Sequence, residues 1–147
     1  SGGTVSNNLL AYNSSTFVMT GGTGEGSLAA FGSSNVRISG GTVDGSLLAI
    51  GSSTITIVGS GFAVDGSPVP YGDLAAQTGT LTGTLASGEP IENPFYQGGI
   101  YCVGNMCTGT LTLAPPPIRV PALSLAGKLA LAVVLMGSVM MLRRRGP

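Results

Sequence analysis

Apolar and polar positions along the first 57 residues recur with a fixed period. Three 19-residue units follow one another without a gap: SGGTVSNNLLAYNSSTFVM, TGGTGEGSLAAFGSSNVRI and SGGTVDGSLLAIGSSTITI. Matching columns run through Gly2, Gly21 and Gly40, then Gly3, Gly22 and Gly41, and through Leu9, Leu28 and Leu47, Ala11, Ala30 and Ala49. Each unit closes on alternating residues such as Val36-Arg37-Ile38 and Ile55-Thr56-Ile57, the period-two signature of a strand with one buried face. Nineteen residues are too few for two packed helices. Burying the same apolar column from every unit is simplest if each unit forms one turn of a coil, stacked about 4.8 Å above the last by parallel backbone hydrogen bonds. The expected fold class is therefore all-β, a parallel β-solenoid (β-helix) over residues 1–57. Leu9, Ala11, Phe17 and Met19 and their equivalents point inward. The Gly-Gly and Ser-Ser pairs sit at corners, where positive φ and local hydroxyl hydrogen bonds are useful.

After Ile57 the period frays into VGSGFAVDGSPVPYGDLAAQ, where Pro68 and Pro70 interrupt ladder hydrogen bonding. A stack needs an end that covers its strand edges, so residues 58–113 read as terminal turns and a β-rich cap. GTLTGTL (79–85) and TGTLTL (108–113) are its strand-like segments. Ser1 stands at the phase of Thr20 and Ser39, which points to an array continuing upstream behind a cleaved signal peptide.

The pattern changes again at the stiff spacer Pro115-Pro116-Pro117, within a segment spanning 114–122. Leu123 to Leu142 gives 142 − 123 + 1 = 20 residues with one charge, Lys128. As a helix it spans roughly 30 Å, the thickness of a bilayer core. Arg143, Arg144 and Arg145 follow at once and hold their end (143–147) on the cytoplasmic side, which leaves the repeats outside.

Composition sharpens this division. Residues 1–117 carry six acids, Glu25, Asp44, Asp65, Asp73, Glu89 and Glu92, against the one cation Arg37, a net charge of minus five; the remaining residues carry five cations and no acid. A body with one Arg and no Lys excludes nucleic-acid binding, which displaces counterions with clustered cations. Cys102 and Cys107 flank a Gly-Asn turn in YCVGNMC and read as a short disulfide-closed hairpin. Without His or further Cys, zinc lacks ligands. Glu25 and Asp44 share a column on adjacent turns and are the candidates for a shared calcium ion, but with Ser6 in the third turn they amount to a solvated acidic edge. A Thr face of the kind that binds ice needs two columns, and only Thr54 and Thr56 make such a pair. No cofactor is implied.

The order of a Pro-containing signature, an apolar helix and an Arg cluster resembles the C-terminal sorting signals of the PEP-CTERM and IPTL-CTERM type, processed by exosortase-type transpeptidases of Gram-negative bacteria. Val120, Pro121, Ala122, Leu123, Ser124, Leu125, Ala126 and Gly127 resemble the variant beginning Ile-Pro-Thr-Leu-Ser-x-Trp-Gly, matching at Pro121, Leu123, Ser124 and Gly127, with Ala122 in place of Thr and Ala126 in place of Trp. The Gly- and Ser-rich repeats also resemble β-helical repeats that accompany such tails. The resemblance implies export, transient retention in the bilayer, cleavage near Val120-Pro121 by an exosortase-type partner, and transfer to the cell surface or extracellular matrix.

Three functions compete. The first is a structural or adhesive surface protein of a biofilm, whose solenoid presents polar ladders to glycans or neighbouring surface proteins and needs no catalytic group. The second is a polysaccharide-acting β-helix enzyme, which would draw on Asp44 with Glu25 or Asp65 with Asp73 as paired carboxylates but lacks the basic residues such sites gather. The third is a membrane-anchored carbohydrate-binding module using Tyr12, Phe31, Tyr71, Phe95, Tyr96 and Tyr101.

Overall fold

A computed structural model describes residues 2–98 and 108–118. The described chain is all-β. Within the unit Ser1–Pro117 the described residues form twelve strands: β1 (Thr4–Val5), β2 (Leu9–Ala11), β3 (Thr16–Gly24), β4 (Leu28–Ala30), β5 (Asn35–Val43), β6 (Leu47–Ala49), β7 (Thr54–Val64), β8 (Ser67–Pro68), β9 (Gly72–Asp73), β10 (Thr78–Leu85), β11 (Pro90–Gln97) and β12 (Thr110–Ala114). They join in one mixed sheet whose path β1-β3-β5-β7-β10-β11-β6-β4-β2 nearly closes on itself.

The 19-residue period becomes a parallel register. Phe17 pairs with Val36 and Val36 with Ile55 along β3, β5 and β7, while Leu9 pairs with Leu28 and Leu28 with Leu47 along β2, β4 and β6. Each offset is one repeat, so the apolar columns stack on themselves. Leu28, Ala30, Val36, Ile38, Leu47, Ala49, Ile55 and Ile57 are buried at the centre; Leu9 and Phe17, in the first turn, are half-buried. Burying a Leu or Ile side chain stabilises by about 1.5–3 kcal/mol, so repeating one column builds a core from few residue types.

Two kinds of corner hold the turns. β3 and β5 run through their Gly-Gly pairs, where the register shifts and the backbone takes a φ of 92° at Gly22 and 94° at Gly41. A Cβ on Gly41 would also lie 2.7 Å from the Gly22 carbonyl oxygen of the turn below, so both conformation and space select glycine. The second corner places Asn13, Gly32 and Gly51 in one left-handed column, with φ of 59°, 68° and 79°. Behind it Ser34 and Ser53 are buried. Their hydroxyls donate to the Ala11 carbonyl at 3.2 Å and the Ala30 carbonyl at 2.9 Å, tying each turn to the one before. The Ser column is a set of buried staples as well as a corner.

Residues 58–113 return to the stack after an excursion. β7 continues past Val58 to Val64, turns back through Asp65 and Gly66, whose positive φ suits a two-residue hairpin, and meets β8. β10 lies antiparallel to both β7 and β11. The end of β11 then pairs in parallel with β6, Phe95 against Leu47, and β12 pairs in parallel with β7, Leu111 against Ile55. β11 and β12 thus add a fourth layer of parallel pairing, a fourth turn in register, from residues displaced by 48 and 56 positions. Phe95, Leu111 and Leu113 extend the same core.

Beyond this fourth turn the chain covers its own edge. β9 pairs antiparallel with β12, and the Leu74 amide donates to the Leu111 carbonyl at 2.9 Å.

Candidate functional site

Alternation along parallel strands sorts side chains by face, and the stack therefore presents ordered columns to solvent. On β3, β5, β7 and β12 the inward positions are apolar, and two outward columns remain. One reads Thr16, Asn35, Thr54 and Thr110; the other reads Val18, Arg37, Thr56 and Thr112. The Thr54-x-Thr56 pair is joined by Thr110-x-Thr112 in the next turn, giving a two-by-two hydroxyl array where the sequence showed a single pair. The register of β12 was hidden by the 56-residue displacement. Arg37 is exposed in the middle of the face and is the one cation among the described residues. Asp73 borders the far edge, where its Oδ1 accepts a 2.6 Å hydrogen bond from the Thr112 hydroxyl.

The shorter strands make a different surface. Leu10, Ala29, Leu48 and Tyr96 share one register column, of which Leu10 is exposed, Leu48 and Tyr96 are half-buried and Ala29 is buried, and the Tyr12 and Phe31 rings stack beside it with centroids 4.9 Å apart at 10°. The stack covers one face of each ring and leaves Tyr12 exposed. Phe95 is fully buried, and Tyr71 packs edge-on against Phe62 while its hydroxyl donates to the Gly59 carbonyl at 3.3 Å. Tyr12, Phe31 and Tyr96 therefore share the face of the short strands, while Phe95 and Tyr71 do not belong to it. Tyr101 lies outside the described residues.

Among the acids, Glu25 and Asp44 stand in adjacent turns, each with its amide donating to the turn below, to Val5 and Gly24 carbonyls respectively, at 2.9 Å. Both are exposed, and no group of three metal-ligating side chains gathers among the described residues. Asp44 instead lines a cleft of about 250 Å³ with Ile38, Val43, Leu85, Ile91 and Glu92, at the place where β11 leaves the repeat's cross-section. Asp65 is occupied by the Thr80 amide at 2.8 Å, and Asp73 by Thr112 as above. Asp65 and Asp73 are thus each engaged by a different partner, whereas Glu25 and Asp44 occupy neighbouring positions on adjacent turns. The Ser87 hydroxyl, followed by the Gly41 amide at 3.4 Å, holds the Glu89 carboxyl below its ordinary pKa.

Comparison adds no relative: no protein-family profile, curated protein or solved structure matches this chain. Function must be read from the faces themselves.

Two residues that sequence reasoning passed over prove central. Asn93 is buried and its Nδ2 donates to the Val43 and Gly45 carbonyls at 2.6 and 2.7 Å; Gln97 is buried and its Nε2 donates to the Leu74 and Ala76 carbonyls at 2.7 and 2.6 Å. The Gln97 Oε1 also accepts the Leu111 amide. These amides weld the fourth turn to the third and to the covering segment. No local pattern distinguishes them from surface amides, because their partners are backbone groups brought close only by the fold.

The sorting signature (Val120, Pro121, Ala122, Leu123, Ser124 and Gly127), the Arg143-Arg144-Arg145 cluster and the Cys102–Cys107 hairpin lie outside the described residues. Among the described residues no helix is long and apolar enough to cross a membrane.

Proposed function

We propose that this chain is an exported structural and adhesive protein of the cell surface or extracellular matrix, built as a parallel β-solenoid and delivered by its C-terminal tail. The observation that supports the reading is the parallel, in-register pairing of the 19-residue units, which gives the chain polar outward columns at regular spacing. A scaffold of stacked backbone hydrogen bonds is stiff and displays side chains at fixed spacing, which suits display and adhesion and needs no catalytic group. No enzymatic role is proposed.

Delivery rests on the sequence. The apolar run 123–142 followed by Arg143, Arg144 and Arg145 supports insertion with the repeats outside. The signature at Val120–Gly127 supports cleavage there by an exosortase-type enzyme. The bilayer and that enzyme are the proposed partners in sorting, and a glycan or neighbouring surface protein is the proposed partner of the displayed faces.

Impermeant thiol labelling of a Ser52→Cys chain in intact cells tests the reading, since Ser52 is exposed at a corner. Cys102 and Cys107 are the background, measured on the unsubstituted chain. Labelling of the introduced thiol without lysis is the expected result. Labelling that requires lysis contradicts it.

A further inference from the structure

We propose that the outward face of β5, β7 and β12 binds a short stretch of polysaccharide carrying isolated uronate groups, with Arg37 taking the carboxylate and Asn35, Thr54, Thr56 and Thr110 meeting the sugar hydroxyls. The proposal builds on the surface-display reading and names the chemistry of its partner.

Spacing is the first argument. Parallel neighbours stand about 4.8 Å apart across the strands and alternate residues about 6.6 Å apart along them, so hydroxyl, amide and guanidinium groups form a flat lattice of donors and acceptors. Sugar rings present hydroxyls on the same scale. The inward partners Val36, Ile55 and Leu111 are fully buried, which holds the strands under the lattice rigid.

Size suits a small ligand on this lattice. The three strands β5, β7 and β12, bearing two outward columns, cover on the order of 100–200 Å². A stable protein interface needs about 800 Å² on each side. An oligosaccharide of a few units can make several hydrogen bonds within the smaller area. A nucleic acid would need clustered cations, and this face has one.

Charge selects the sugar. Arg37 can grip a carboxylate in a bidentate fork while the neighbouring Thr56 and Asn35 hydrogen-bond the ring. The acid that borders this face, Asp73, is three ladder steps away through Thr56 and Thr112, about 14 Å and beyond the roughly 8 Å Debye length at physiological salt. Its carboxylate already accepts the Thr112 hydroxyl. The net charge of minus five over residues 1–117 opposes a densely charged polyanion but tolerates one carboxylate among neutral units.

The test is calorimetric titration of the full 147-residue chain in detergent micelles. The probes are a hyaluronan tetrasaccharide, which alternates uronate with neutral sugar, and neutral maltotetraose. The expected result is tighter binding of the uronate probe, weakened about tenfold or more by Arg37→Gln and less by Arg37→Lys, which keeps the charge and loses the fork. Thr56→Val should weaken binding a few-fold, with the strand circular dichroism of every variant unchanged. Equal binding of both probes, indifference to Arg37→Gln, or no binding of either would overturn the proposal. Surface labelling of the Ser52→Cys chain decides the display reading separately, so the two can fail independently.

Discussion

Replacing Gln97 by Ala removes the one side chain that joins β11, β12 and the covering segment. Three backbone groups lose their partner: the Leu74 and Ala76 carbonyls and the Leu111 amide. Gln97 is only 5% exposed, so water does not readily replace the lost bonds. A buried polar group left unsatisfied costs about 1–3 kcal/mol, and three of them amount to roughly 3–6 kcal/mol once partial relaxation is allowed. Against a domain stability of about 5–15 kcal/mol this is a large fraction. At about 4 °C per kcal/mol for a unit of this size, the expected fall in Tm is about 12–24 °C. Gln77→Ala is the control, because Gln77 contributes its backbone carbonyl to the Gln97 amide while its side chain is exposed; it should change stability by no more than about 0.5 kcal/mol. Urea unfolding gives the free energies, and hydrogen exchange followed by mass spectrometry reports the Leu111 amide. A loss under about 1 kcal/mol with Leu111 still protected would refute the reasoning that the fourth turn hangs on this amide network.

Further expectations follow from the same contacts. Ile55→Ala, at a fully buried position paired on both sides, should lower stability by about 2–5 kcal/mol in chemical denaturation. Ser53→Ala removes a donor to Ala30 and one of two acceptors of the Ile50 amide, but the Ile50 amide and Ala30 carbonyl still bond each other at 2.9 Å, so the cost should be about 0.5–1.5 kcal/mol by the same measurement, whereas Ser52→Ala on the exposed side of that corner should be nearly neutral. Gly41→Ala forces a side chain into a left-handed conformation beside the turn below, with an expected loss of at least about 1 kcal/mol read as a lower Tm. Because the folded state lowers the Glu89 pKa, its favourable contribution is present above the unfolded-state pKa and is lost as pH falls through the folded-state pKa. Ser87→Ala should therefore move the Glu89 titration, followed by NMR, upward toward the ordinary carboxylate value.

What the sequence made legible is what it repeats. The columns of Leu, Ala, Val and Ile at 19-residue spacing predict which residues pair, because a one-residue slip would turn Val36 and Ile38 outward and bury Arg37. Corners were legible too, from the Gly-Gly and Ser-Ser pairs, though not the left-handed Asn13, Gly32 and Gly51 column that precedes Ser-Ser. The fourth turn was not. Its two halves lie 48 and 56 residues from their equivalents, separated by an antiparallel excursion and by the segment holding Cys102 and Cys107, so no period connects Phe95 to Leu47 or Leu111 to Ile55. The completed hydroxyl array and the central place of Arg37 depend on that turn. The roles of Asn93 and Gln97 are equally hidden, since a side-chain amide announces capacity for hydrogen bonds but not burial.

Mass determination of the C-terminal peptide in cell-surface material decides whether the tail is a removable address. The account predicts that the extracellular fraction carries chains ending near Val120-Pro121, while the membrane fraction retains a precursor that includes Arg143, Arg144 and Arg145. Recovery of surface material with an intact Arg143-Arg144-Arg145 terminus would contradict it and make the tail a permanent anchor.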